Sequence, residues 1–163
     1  MRTVPEPLVM DTGPLISLGR ADAFGWVRQL PFHFLIPEAV ANELTVGREA
    51  GYPVSVPDWI EVRSLTGRLP LNLTTPLGAG ESAVISLALQ EDLTTVGLDE
   101  WRSRRAALAV GLRVTGSLGL LGRAKHLGLV HQVRPWVERL DKAGAWYDPG
   151  LIQKFLAAFG EAQ

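Results

Sequence analysis

Short strand-like runs alternate with helical patterns along this chain, and that alternation limits its fold more than any other feature. "PLVM" is a short apolar run that reads as a buried strand. "TGPLISLGRA" reads as a turn into a helix, with Pro14 tolerated in its first turn. "ADAFGWVRQL" spaces Phe24, Val27 and Leu30 as a helix does, with Asp22 as its cap. "FHFLI" is strand-like, and "PEAVANELTVG" follows as a helix from Pro37 to about Gly47. "WIEVRSL" alternates like a strand. "GESAVISLALQE" is helical, "LTTVGLD" a strand, "EWRSRRAALAVG" a helix, "LRVTGS" a strand and turn, and "LGLLGRAKHLG" a helix. Amphipathic helices over about 130–143 and 148–159 close the chain. Strands and helices in this order predict an α/β fold around a mainly parallel sheet. The stretch 64–80 reads as a loop longer than compact domains usually carry, a length often tied to function.

At 163 residues, 47% hydrophobic and 20% charged, the chain fits one globular domain over residues 1–163, with helices 130–160 packed on it. It has no cysteine, so disulfides, thiolate metal sites and thiol catalysis are excluded. Its three histidines are scattered and predict no imidazole cluster. Neither a signal-peptide core nor a span-length apolar run is present, so a cytoplasmic location is expected. The net charge of −1 hides an asymmetry. The first 100 residues carry 6 basic and 13 acidic side chains, and the last 63 carry 10 and 4. That division suits an acidic site beside a polyanion-binding surface, and equally a mixture of solvated faces.

In parallel sheets the functional crevice lies beyond the carboxyl ends of the strands. Asp11 ends the first strand and Asp99 the "TVGL" strand. Glu81 falls in the first turn of its helix and Glu43 inside another. Four carboxylates on separate segments can converge there. Unless a cation neutralises them, they repel one another and their pKa values rise on burial. Oxygen ligands alone select a hard cation, Mg²⁺ or Mn²⁺. Each acid also has a plain structural role open to it. Asp11 can cap a turn or helix, Glu43 can be solvated, Glu81 can complement a helix dipole, and Asp99 can cap the helix after it.

Other uses of a strand-end aspartate fit less well. A haloacid-dehalogenase-type phosphatase needs a second Asp two positions on, where this chain has Gly13. A response-regulator receiver needs an acidic pair before its aspartate, and none ends an early strand. There is no phosphate-binding Gly-x-x-x-x-Gly-Lys-Ser/Thr loop, and "GAGES" is too short and wrongly placed for a dinucleotide fingerprint.

In order, "VMDTGPLI", "IPEAVANEL", "LGAGESAVISLAL" and "VGLDEWRSRRAALAVGLRVTGSLGLLGRAKHLGL" resemble a PIN domain over nearly the whole chain. The likeness is to the branch of predicted nucleic-acid-binding PIN proteins akin to VapC-type toxins. It implies a three-layer α/β/α sandwich and Mg²⁺- or Mn²⁺-dependent hydrolysis of RNA that leaves a 5′-phosphate and a 3′-hydroxyl. By motif, Asp11, Glu43, Glu81 and Asp99 match the family's catalytic acids, with Asp11, Glu81 and Asp99 as metal ligands. Thr12 matches the hydroxyl residue that supports them. The third acid is often Asp across the wider family, and Glu81 is longer by one methylene. Glu100 is either a fifth acid or a solvated neighbour.

Arg102, Arg104 and Arg105 follow on one helix and are candidate contacts to a nucleic-acid backbone, or else a solvated face or internal pairs. Arg123 and Lys125 read more simply as a solvated face. Ser117, after the "RVTG" strand, can bind phosphate or cap its helix. Most of the five tryptophans read as core, while Trp101 is placed to stack on a base. The resemblance further implies an RNA substrate, a small antitoxin partner, and a homodimer through "ADAFGWVRQL" and "LISL". A PIN-fold protein that binds nucleic acid or a partner without turnover is the alternative, and a DNA-repair nuclease a weaker third.

Overall fold

The computed structural model describes residues 3–51, 54–66 and 76–162. Residues 67–75, in the middle of the expected long loop, lie outside the described residues. The described residues form two compact units, 1–16 with 31–116 and 17–30 with 117–163.

The first unit is built on a five-stranded parallel sheet of order β3-β2-β1-β4-β5. Its strands are β1 (Glu6–Met10), β2 (Phe32–Pro37), β3 (Glu61–Arg63), β4 (Thr95–Gly97) and β5 (Arg113–Thr115). "Mainly parallel" therefore becomes wholly parallel, in the α/β class expected from the sequence. β1 is central, with Leu8 opposite Phe34 on β2 and Thr95 on β4. Pro7 has no N–H for a ladder, and it stands one residue before pairing with β4 begins. Leu8, Val9, Met10, Leu35, Ile36 and Val96 are fully buried, as strands covered on both faces require.

Helices α3 (Glu38–Glu49), α4 (Ala79–Gln90) and α5 (Trp101–Ala109) belong to this unit. α4 is buried continuously from Ala83 to Ala88, and it contacts β1, β2 and β4. Its nearly unbroken apolar sequence follows from that position. Helix α3 begins directly from Pro37, which ends β2 and is also the N-cap. It runs through Gly47 to Glu49, because one glycine costs only about 1 kcal/mol in a helix.

Helix α1 (Thr12–Arg20) starts at once after Asp11, with no intervening turn, and continues from the first unit into the second. The second unit also holds α2 (Phe24–Val27), α6 (Ser117–His126), α7 (Arg134–Lys142) and α8 (Pro149–Ala158). Leu120, Leu121, Val133, Leu140 and Leu156 are among its buried residues, and Trp26 meets Trp136 edge-on at 5.7 Å.

The helix expected over "ADAFGWVRQL" shrinks to one turn. Asp22 takes a left-handed φ of 58° and does not cap it; the N-cap is Ala23, with no side-chain hydrogen bond. α7 begins at Arg134 because the Glu161 carboxylate accepts from the N–H groups of Val133 at 2.9 Å and Arg134 at 3.0 Å. α8 has an ordinary cap, with Asp148 accepting from Leu151 N–H at 3.0 Å.

Candidate active site

Because the strand order reverses between β1 and β4, the crevice beyond their carboxyl ends is a topological switch point. Asp11 is the first residue past β1, and its N–H donates to Gly97 O, at the end of β4, at 2.9 Å. Asp11 is 7% exposed, and its Oδ1 is buried without a hydrogen-bond partner. Burial raises its carboxyl to a pKa of about 7. The Thr12 backbone N–H opposes that rise, and the negative charges of Glu81, Glu43 and Glu100 add to it.

Glu43 is held at both oxygens. The Thr12 hydroxyl donates to Oε2, and the Gly80 N–H donates to Oε1 at 2.9 Å. The bonds join the starts of α1 and α4 to the middle of α3. A Cβ at Gly80 would lie 2.5 and 2.7 Å from the two Glu43 oxygens, so any side chain there displaces the Glu43 carboxylate from this clamp.

Glu81, half-buried in the first turn of α4, has its carboxyl raised above the usual range. Burial is the main cause, followed by the charge of Glu100. The Ser103 hydroxyl pulls it back, while a hydrogen bond to Glu100 and the charge of Glu43 push it up. Ser103 is fully buried on α5 and also donates to the Glu100 carbonyl at 3.0 Å. Glu100 is the N-cap of α5 and stands in electrostatic reach of both Asp11 and Glu81.

Asp99 is the second residue past β4, at the same sheet edge. Its Oδ1 and the Arg104 Nη1 both crowd the place a Cβ would take at Gly116, Nη1 at 2.9 Å. Arg104 Nη1 also donates to Leu98 O at 2.8 Å, so this guanidinium is committed to the end of β4. Arg102 and Arg105 are exposed on α5. Ser117 belongs to the second unit, where its buried hydroxyl shares a hydrogen bond with the Tyr147 hydroxyl.

The structure thus brings Asp11, Glu43, Glu81 and Glu100 into one electrostatic cluster, with Thr12 tying Glu43 in place. Sequence reading left Glu100 open and missed Gly80 and Ser103. The Glu100-x-x-Ser103 spacing, which sets a hydroxyl over the first turn of a helix, was the available signal. Among the described residues, no three acidic or histidine side chains form a ready-made metal cage. The donor chemistry nevertheless fits a hard divalent cation, because the cluster is all oxygen and one buried carboxylate oxygen has no partner.

A parallel α/β sheet with carboxylates gathered at its switch point defines a domain with an acidic site at the strand ends. The chain belongs to the PIN-domain family, whose model matches residues 7–161. No curated protein matches the chain. Among the described residues, no helix is long and apolar enough to cross a membrane.

Proposed function

We propose that this PIN domain is a Mg²⁺- or Mn²⁺-dependent endoribonuclease that hydrolyses phosphodiester bonds of RNA. The observation that carries this reading is Asp11 Oδ1, buried and unpartnered beside three further carboxylates. An unpaired anion there is costly, and a cation removes that cost. Asp11, Glu81 and Asp99 would hold the ion, with Glu100 as an added acid. The chemistry supplied when a divalent ion is bound is polarisation of the scissile phosphate and activation of a water nucleophile.

The remaining steps fall to the chain's own groups. Glu43, clamped by Thr12 and Gly80, ties the starts of α1 and α4 to the middle of α3 beside Asp11. Arg104 supports the end of β4 beside Asp99. Exposed Arg102 and Arg105 supply positive charge for the substrate backbone.

The test is cleavage of a single-stranded RNA by the purified chain with Mg²⁺ or Mn²⁺ titrated in. Cleavage that rises with the metal and stops on chelation is expected. RNA binding with no metal-dependent turnover would instead favour a non-catalytic PIN protein. A toxin role with a small antitoxin, and a homodimer through "ADAFGWVRQL" and "LISL", extend the proposal on family likeness. A short antitoxin gene immediately upstream and a dimeric mass in solution are their respective tests.

A further inference from the structure

Trp101 is the first residue of α5, directly after Glu100, and it is 66% exposed. A tryptophan left this exposed in a helix that buries Ser103, Ala106 and Ala107 on its other side contributes little to the core. Its ring is nevertheless held. Arg105, one turn on, lies over it with its guanidinium carbon 4.6 Å from the ring centroid. Arg102 is exposed on the same helix. A flat aromatic surface with a cation over one face therefore stands one residue from an acid that acts electrostatically on Asp11 and Glu81. Aromatic faces with neighbouring positive charge are how proteins hold single strands, since every unpaired base can stack and the backbone is anionic. A base inside a duplex offers no free face.

We propose that Trp101, steadied by Arg105, is the stacking platform for one unpaired base of the nucleic-acid strand. The proposal rests on the nucleic-acid reading above and names a residue of this chain that contacts the substrate.

The test is fluorescence anisotropy of a labelled single-stranded RNA, and of a duplex of the same sequence, with Ca²⁺ replacing Mg²⁺ and Mn²⁺. Trp101→Ala should weaken single-strand binding about tenfold, Trp101→Phe by less than about threefold, and neither should alter duplex binding. Abasic sites in the RNA should reproduce the Trp101→Ala loss with the parent protein, which probes stacking without any substitution. Equal single-strand affinity of the parent and Trp101→Ala would overturn the proposal. So would an equal loss on duplex, a change of oligomeric state on substitution, or a parent that binds no RNA. Trp101-dependent binding in a parent that never cleaves with Mg²⁺ or Mn²⁺ would support stacking and sink only the nuclease reading.

Discussion

The Thr12 hydroxyl donates to the Glu43 carboxylate, across 31 residues of sequence. It fastens the first residue of α1 to the middle of α3, and so fixes the backbone next to Asp11. Thr12→Val keeps the shape of the side chain and deletes the donor. The expected loss is about 1.5–3 kcal/mol in denaturant-derived stability, the range for a hydrogen bond to a charged group. A midpoint unchanged from the parent would remove the clamp from the account.

Gly80 and Gly25 form a matched pair for testing the other half of that clamp. A Cβ at Gly80 would collide with both Glu43 oxygens, whereas one at Gly25, exposed on α2, meets no neighbouring element within 4 Å. Gly80→Ala should therefore lower stability by about 1–3 kcal/mol and lower activity with it. Gly25→Ala should raise stability by about 0.5–1 kcal/mol. Equal effects at the two positions in thermal melts would contradict the packing at Gly80.

Asp11 sets a pH dependence whose sign follows from its raised carboxyl. The folded state keeps the proton up to a pKa of about 7, while the unfolded chain releases it near the ordinary 3.8. Between those values the native state binds more protons, so this residue's contribution to stability falls as pH rises. The full loss is of the order of a few kcal/mol. Asp11→Asn cannot ionise, so its stability should exceed the parent's at pH above 7 without metal, and the gap should close toward pH 4. Melting curves without divalent ions across that range are the check. A parent that gains on the variant as pH rises would reverse the assignment.

Glu100 and Asp99 are adjacent in sequence and differ in surroundings. Glu100 raises the carboxyls of both Asp11 and Glu81, while Asp99 is packed beside Arg104 at Gly116. Glu100→Gln should therefore lower the Asp11 pKa, as read by carboxyl NMR titration. Asp99→Asn removes a charge beside Arg104 and should disturb the β4 end. An Asp11 pKa unmoved by Glu100→Gln would take Glu100 out of the cluster.

How much of this was legible in the sequence depended on the range of the interaction. Asp11 at a strand end could be read because "PLVM" is apolar to its last residue and the charge follows at once. The parallel sheet could be read from the alternation of local patterns. The clamp on Glu43 could not, because its partners are 31 and 37 residues away and no periodicity encodes such a meeting. Whether Glu100 joins the acids or is solvated was likewise not legible, since neighbouring residues at the start of a helix point in different directions. Helix length failed at "ADAFGWVRQL" because Asp22 takes a left-handed φ instead of capping, and the chain leaves the helix after Val27 to enter β2 at Phe32.

The proposed nuclease requires the buried, unpartnered oxygen of Asp11 to belong to a divalent-cation site. Diffraction from crystals soaked in Mn²⁺, with the anomalous signal of manganese mapped, is the decisive test. A peak is expected at ligand distance, about 2.0–2.2 Å, from Asp11 Oδ1, with Glu81 and at least one of Asp99 and Glu100 around it. A saturating soak that leaves Asp11 without manganese, or places the ion away from these carboxylates, would contradict it.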